Sequence, residues 1–354
     1  MDIPATLVYC KEKFGFALTS VRVGGREPMA LDGCNRLTCC HGLGRAKTVH
    51  RGSRQSRERH QALIKEINLR MHRLKPAPLL LCAGALLAQV APEPGTNSRP
   101  YTVLYVFGDS YSDSGAGYVD ADGPTAVVYL AQHLGIPFTY DGDRGSAGKG
   151  LNFAVSGASS GDGAGRPLPS GGTLGFGMKN QIENFVRYSK SGAIPKIDAA
   201  NTMFFFAGGL NDGRRPDGFV RTNIESEIDT LYDLGARRFM VAILPTKIPQ
   251  FAAAGRRVNP ELEKIPAEER VKHPDMRIAN SQWGSFFDEV ITNPAKFGLA
   301  DTATPCSDRP FGPQKIATCS NPDAHFFYHE GHPSTAAHRA VGELLYREAI
   351  TKAP

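Results

Sequence analysis

Three short runs of this chain are apolar at nearly every position: Thr102 to Phe107 (TVLYVF), Thr202 to Ala207 (TMFFFA) and Arg238 to Leu244 (RFMVAIL). A strand with one face in water alternates apolar and polar residues, so a strand that is apolar throughout must be covered on both faces. Between the runs lie segments with apolar residues at helical spacing: Pro124 to Leu134 stopped by Gly135, Met178 to Tyr188, and Phe219 to Leu234 stopped by Gly235. A shorter strand is expected over Leu151 to Val155, and further helices over Met276 to Ile291 and Ser334 to Ile350. Strands alternating with helices specify a three-layer α/β/α fold around a mostly parallel, flavodoxin-like sheet. The Gly/Ser/Pro-rich stretch Ser156 to Gly177 reads as loop, and residues 245–275 as a polar excursion near the sheet edge. Ligands of such sheets bind beyond the strand C-terminal ends, so the residues just after each strand carry the chemistry.

Those residues form a set. Gly108-Asp109-Ser110 follows the first strand, Asn152 to Gly157 the second, and Gly209-Leu210-Asn211-Asp212 the third, while His329-Glu330-Gly331-His332-Pro333-Ser334 precedes the last helix. A serine hydroxyl is a weak nucleophile until a base takes its proton, and His332, in a loop feeding a helix, suits that base. Attack on a carbonyl makes an oxyanion that needs fixed donors. Asn211 offers a side-chain amide; Gly157 and the Ser110 turn offer backbone N–H groups.

The four blocks, in this order from about Thr102 to the end of the chain, resemble the GDSL, or SGNH, hydrolase family of esterases and lipases. Within it the chain is similar to secreted fungal carbohydrate-ester hydrolases of the acetylesterase type, with Tyr111 where leucine is usual. The resemblance implies a carboxylic ester hydrolase without a cofactor or metal. Ser110 would be nucleophile, His332 base and then acid, and Gly157, Asn211 and the Ser110 N–H the oxyanion hole. It implies an ester substrate, acetylated oligo- or polysaccharide. A lipase or lysophospholipase, or a non-catalytic binding protein on the same scaffold, are the rival readings. One departure matters: the family places an aspartate three residues before the histidine, and here that slot holds His329. A second histidine cannot supply the missing negative charge. A backbone carbonyl could hold the Nδ1 proton of His332 and leave a Ser–His dyad, the carboxylate of Glu330 or Asp323 could reach in, or activity could be reduced.

Other readings of these residues are weaker. Gly157-Ala158-Ser159-Ser160-Gly161 fits the nucleophile elbow G-x-S-x-G, but no helical period follows it. His325, His329, His332 and His338 could suggest a metal, yet no acidic partner stands at ligand spacing; His325 and His338 read as surface or supporting residues. Asp109 and Asp113 are more simply turn braces than an acid pair, and Trp283 is core.

The N-terminal part reads differently. Met71-His72-Arg73-Leu74-Lys75 followed by PLLLCAGALLAQVA (78–91) has the form of a secretory signal peptide, expected over 71–88, and is too short for a membrane span. Residues 1–70 then read as a disordered gene-model extension and residues 89–354 as the hydrolase domain, secreted and extracellular. Residues 1–70 hold 13 Lys+Arg against 6 Asp+Glu, the remainder 28 against 29, so the net charge of +6 is no sign of nucleic-acid binding. Neither nucleic acid nor a stable membrane anchor is expected, and the chain reads as a monomer. Cys306 and Cys319 remain as an even pair in a loop-like stretch, which in a secreted chain predicts one disulfide.

Overall fold

The computed structural model describes residues 10–12, 15–17 and 100–354, apart from 117–119, 143–149, 170–171, 308–318 and 353. The chain divides into two compact units, Met1–Gln89 and Val90–Pro354. In the first, β1 (Cys10–Glu12) pairs antiparallel with β2 (Gly15–Ala17). The expected signal segment, 71–88, lies outside the described residues.

The second unit is built on six strands. β3 (Val103–Gly108), β4 (Phe138–Tyr140), β5 (Gly150–Asn152), β8 (Thr202–Ala207), β9 (Arg238–Ala242) and β10 (Arg277–Ser281) form one sheet in the order β10-β9-β8-β3-β5-β4, every neighbour pair parallel. The apolar runs lie at its centre: every residue of β8 is buried, and Phe107 packs on Phe153 at 5.1 Å and Phe206 at 5.5 Å between ring centroids. β6 (Ala164–Pro167) and β7 (Thr173–Phe176) form a separate antiparallel hairpin.

Helices α1 (Ala126–Leu134), α6 (Trp283–Thr292) and α7 (Thr335–Lys352) pack in one group. α2 (Met178–Ser191), α3 (Phe219–Asp233), α4 (Ala252–Leu262) and α5 (Ile265–Lys272) pack in another. β11 (Phe327–His329) and the two-residue β12 (His332–Pro333) form a short antiparallel pair ahead of α7. The strand order reverses between β3 and β8, which is where such sheets bind ligands.

Several expectations change. The helix expected over Met276 to Ile291 is strand β10, a bend at Gln282, and α6. β10 is the edge strand, covered unevenly, so its sequence RIANS lacks the apolar run that marked the central strands. The polar excursion contains α4 and α5, whose outer charges include Arg221-paired Glu261 and Glu268. The Ser156 to Gly177 loop carries the β6–β7 hairpin, so no helix opens after Ser159 and the elbow reading fails. Trp283 is fully buried at the start of α6.

Candidate active site

β3 delivers Ser110 to the switch point. Its last residue must be glycine, because a Cβ on Gly108 would lie 2.4 Å from the Ala207 carbonyl oxygen of β8. Gln181 of α2 accepts from the Gly108 N–H (3.0 Å) and donates to its carbonyl (2.9 Å), closing the hydrogen bonds where the ladder ends. The chain then turns, with the Ser112 and Asp113 N–H groups both 3.0 Å from the Asp109 carbonyl.

The acids of this turn are braces. The Asp109 carboxyl accepts from the Tyr111 N–H at 3.3 Å and from the Leu210 N–H, tying the serine turn to the asparagine block. Burial pushes its pKa up to about 8, against the N–H groups that favour the carboxylate. Asp113 accepts from the N–H groups of Gly115 (2.8 Å) and Ser156 (2.7 Å), and Asn152 donates to the Ser112 carbonyl at 2.6 Å. Three separate sequence blocks are thereby locked into one rim.

Opposite Ser110 stands His332. Its Nε2 is 2.8 Å from the Ser110 hydroxyl, and its Nδ1 is 3.0 Å from the Glu330 main-chain carbonyl. A carbonyl can only accept, so the proton is on Nδ1 and the Nε2 lone pair faces the serine. Burial holds the imidazole below its usual pKa of 6.5, against the opposing pull of the Asp120 charge, so it is neutral at pH 7.

The acid question has an unexpected answer. Neither the Glu330 nor the Asp323 carboxylate fills the slot: both residues are exposed, and Glu330 supplies its backbone oxygen. His329 stacks on His332, with 4.4 Å between ring centroids, and its Nε2 lies 3.0 Å from Oδ1 of Asp120. The other oxygen, Oδ2, lies 3.6 Å from Nε2 of His332. Asp120 is 2% exposed, so its charge acts through a poorly screening interior. The sequence reading missed Asp120, which is 209 residues from His329; an acid in the loop after the nucleophile block was its one signal.

The histidine arm is held from several sides. Tyr111 donates its hydroxyl to the Gly331 carbonyl, while its ring lies 5.6 Å from that of His332. Phe251, at the start of the 245–275 segment, meets the His332 ring edge-to-face at 5.8 Å, so this segment does reach the site. The predicted disulfide joins Cys306 to Cys319. The N–H groups of Cys306 and Ser307 bond to the carbonyls of Phe327 and Tyr328, fastening the disulfide loop to β11. Ser334 accepts from the Ala337 N–H at 3.2 Å and so caps α7. His338, read as a surface or supporting residue, is wholly buried: its Nδ1 accepts from the Ala126 N–H at the start of α1, and burial pushes its pKa down to about 3.

Gly157 and Asn211 lie on the serine side. Gly157 has φ +75°, a conformation glycine adopts without strain, and Leu174 of β7 covers it 3.1 Å from where a Cβ would stand. The Asn211 amide donates to the Ala158 carbonyl at 2.9 Å, which leaves its second N–H for another acceptor beside the Gly157 backbone.

A model of GDSL-like lipases and acylhydrolases matches residues 104–345. A thermolabile hemolysin of Vibrio parahaemolyticus is 28% identical over 196 residues, 48% of this chain and 46% of the hemolysin, so the chain spans less than half of that relative. GDSL esterase/lipase 6 of Arabidopsis thaliana is 20% identical over 340 residues, covering 76% of this chain and 92% of the plant protein. Among solved structures, the psychrotrophic esterase EstA from Pseudoalteromonas, inhibited by monoethylphosphonate, aligns with a TM-score of 0.39 at 13% identity, over 71% of this chain and 97% of its own.

Proposed function

The chain belongs to the GDSL-like lipase and acylhydrolase family and is a carboxylic ester hydrolase, and within that class we propose that Ser110 and His332 form its nucleophile and base. The observation that carries this reading is the 2.8 Å contact between the Ser110 hydroxyl and the unprotonated Nε2 of His332. Ser110 Oγ attacks the ester carbonyl carbon as His332 takes its proton. The carbonyl oxygen becomes an oxyanion facing the N–H groups of Gly157, Ser110 and the Asn211 side chain. The imidazolium keeps its Nδ1–H on the Glu330 carbonyl, and its new charge lies beside Asp120. Asp120, held by His329, thus supplies the charge the family takes from the position of His329 itself. Collapse of the intermediate passes the Nε2 proton to the leaving alcohol and leaves an acyl-serine. Water then gives a proton to His332 and its oxygen to the acyl carbon, and His332 returns that proton to Ser110 Oγ as the acid is released.

The substrate we propose is a short acyl ester, acetyl first, on plant carbohydrate; the resemblance of the four blocks to acetylesterases supports it. Export is supported by the basic-then-apolar stretch 72–91 and by the disulfide, which persists in oxidising surroundings. Hydrolysis of p-nitrophenyl acetate by wild type and Ser110→Ala tests the mechanism. A loss of at least about 10^4-fold in kcat is expected, and equal rates would sink it. A panel of acetylated xylan fragments against longer acyl esters tests the substrate, and release of acetate slower than of long acyl chains would overturn it.

A further inference from the structure

We propose that Asp120, His329 and His332 form a binding site for a divalent transition-metal ion of zinc's class, and that the bound ion switches hydrolysis off. The site stands on the donor geometry alone; the inhibition rests on the reading of Ser110 and His332 above.

Two imidazoles and a carboxylate, all three residues buried, bring one ligand atom each to within 4.8 Å of one another. Zinc is bound by such nitrogen and oxygen donors at about 2.0–2.2 Å in a tetrahedral shell, which sets ligand atoms roughly 3.3 Å apart. Here Asp120 Oδ1 is 3.0 Å from Nε2 of His329, and Oδ2 is 3.6 Å from Nε2 of His332. The Ser110 hydroxyl, 2.8 Å from Nε2 of His332, now sits on the lone pair the ion would take, so it turns aside on binding and a water completes the shell. A metal-bound histidine ordinarily donates its other ring N–H to a carbonyl or carboxylate. His332 already does so, from Nδ1 to Glu330, which fixes the tautomer that presents Nε2. The two rings stack at an interplanar angle of 28°, so seating an ion requires them to tilt until both Nε2 atoms converge. Histidine spacing along the chain gave no such site, because the acid comes from a distant loop.

The chemistry of occupancy follows. The Nε2 proton that His329 now shares with Asp120 moves to Nδ1, and the ion takes its place between the two groups. On His332 the ion occupies the lone pair that would accept the serine proton, so Ser110 stays a neutral hydroxyl. Protons compete with the ion for the same nitrogen and oxygen lone pairs, so binding weakens as pH falls.

The test uses the full chain carrying Ser110→Ala, so that the metal is read without turnover. Titration with Co2+ is expected to give the intense visible bands of a four-coordinate ion, displaced by Zn2+. His329→Gln or Asp120→Asn should weaken Co2+ binding by about 10-fold or more, each variant first checked for an unchanged Tm. In the wild type, Zn2+ should abolish ester hydrolysis and EDTA restore it. The weak spectrum of six-coordinate cobalt, or binding unchanged in both variants, would overturn the site. Cobalt bound through His329 in a chain whose Ser110→Ala variant still hydrolyses esters would keep the site and remove the Ser110 mechanism. An active wild type indifferent to Zn2+ would remove the inhibition.

Discussion

The two halves of the candidate site are held in opposite ways. Ser110 leaves the middle of a six-stranded parallel sheet, and its turn is fixed by bonds among the blocks at the strand ends: Gln181 on Gly108, Asp109 on Leu210, Asp113 on Ser156. His332 leaves a strand of two residues, paired with one of three. Side chains from distant segments hold it: the Tyr111 hydroxyl, the Phe251 ring, Asp120, and a disulfide loop on β11. Bonds between neighbouring strand ends position Ser110, the proposed nucleophile, and a collection of contacts from distant segments positions His332, the proposed base. Damage should therefore be all-or-none on the serine side and graded on the histidine side.

The sharpest contrast comes from Asn211→Ala. Losing one oxyanion donor should lower kcat by about 10^2- to 10^3-fold with little change in KM; a KM effect alone would place Asn211 in binding. On the other side, replacing Cys306 and Cys319 together by serine should cost about 3 kcal/mol of stability, given the short loop they close, read as a lower denaturant midpoint. If the histidine arm does not depend on that loop, kcat in the surviving folded protein will be unchanged.

Asp120→Asn should lower the plateau of kcat by about tenfold, the equivalent of roughly 1.4 kcal/mol in the barrier. It also carries a pH signature. With His332 as the proposed base, hydrolysis needs its neutral form, so the wild-type rate should rise with pH through a midpoint below 6.5 and be level at neutral pH. The Asp120 charge favours the imidazolium, so removing it should move that midpoint lower still; a midpoint moving upward would contradict the placement of the charge. The smallest effect is expected of Tyr111→Phe, which strips a hydrogen bond worth about 1 kcal/mol from the Gly331 carbonyl. It should slow kcat a few-fold and leave the pH midpoint in place.

The same contrast explains what could be read in the sequence. TVLYVF and TMFFFA announce buried parallel strands because both faces of each are covered, and the serine, glycine and asparagine blocks sit directly after strands. RIANS of β10 gave no such announcement, since an edge strand is covered unevenly. Asp120 was silent for another reason: its pairing with His329 bridges 209 residues, and no local period or spacing encodes a contact of that separation. The amphipathic α4 and α5 were obscured by Pro260 and by arginines and glutamates that pair with one another across helices.

Gln181 gives the serine side one more property. By occupying both hydrogen-bonding groups of Gly108, a helix side chain does for the last residue of β3 what a further strand residue would do. The Gly108 amide, two residues before Ser110, then has no local route to solvent, and its hydrogen should exchange on the timescale of opening of the whole sheet. On warming, the histidine arm can come loose while the sheet is intact. The serine turn cannot, so inactivation should precede unfolding and be reversed on cooling, with Ser110 still in place to receive the returning His332.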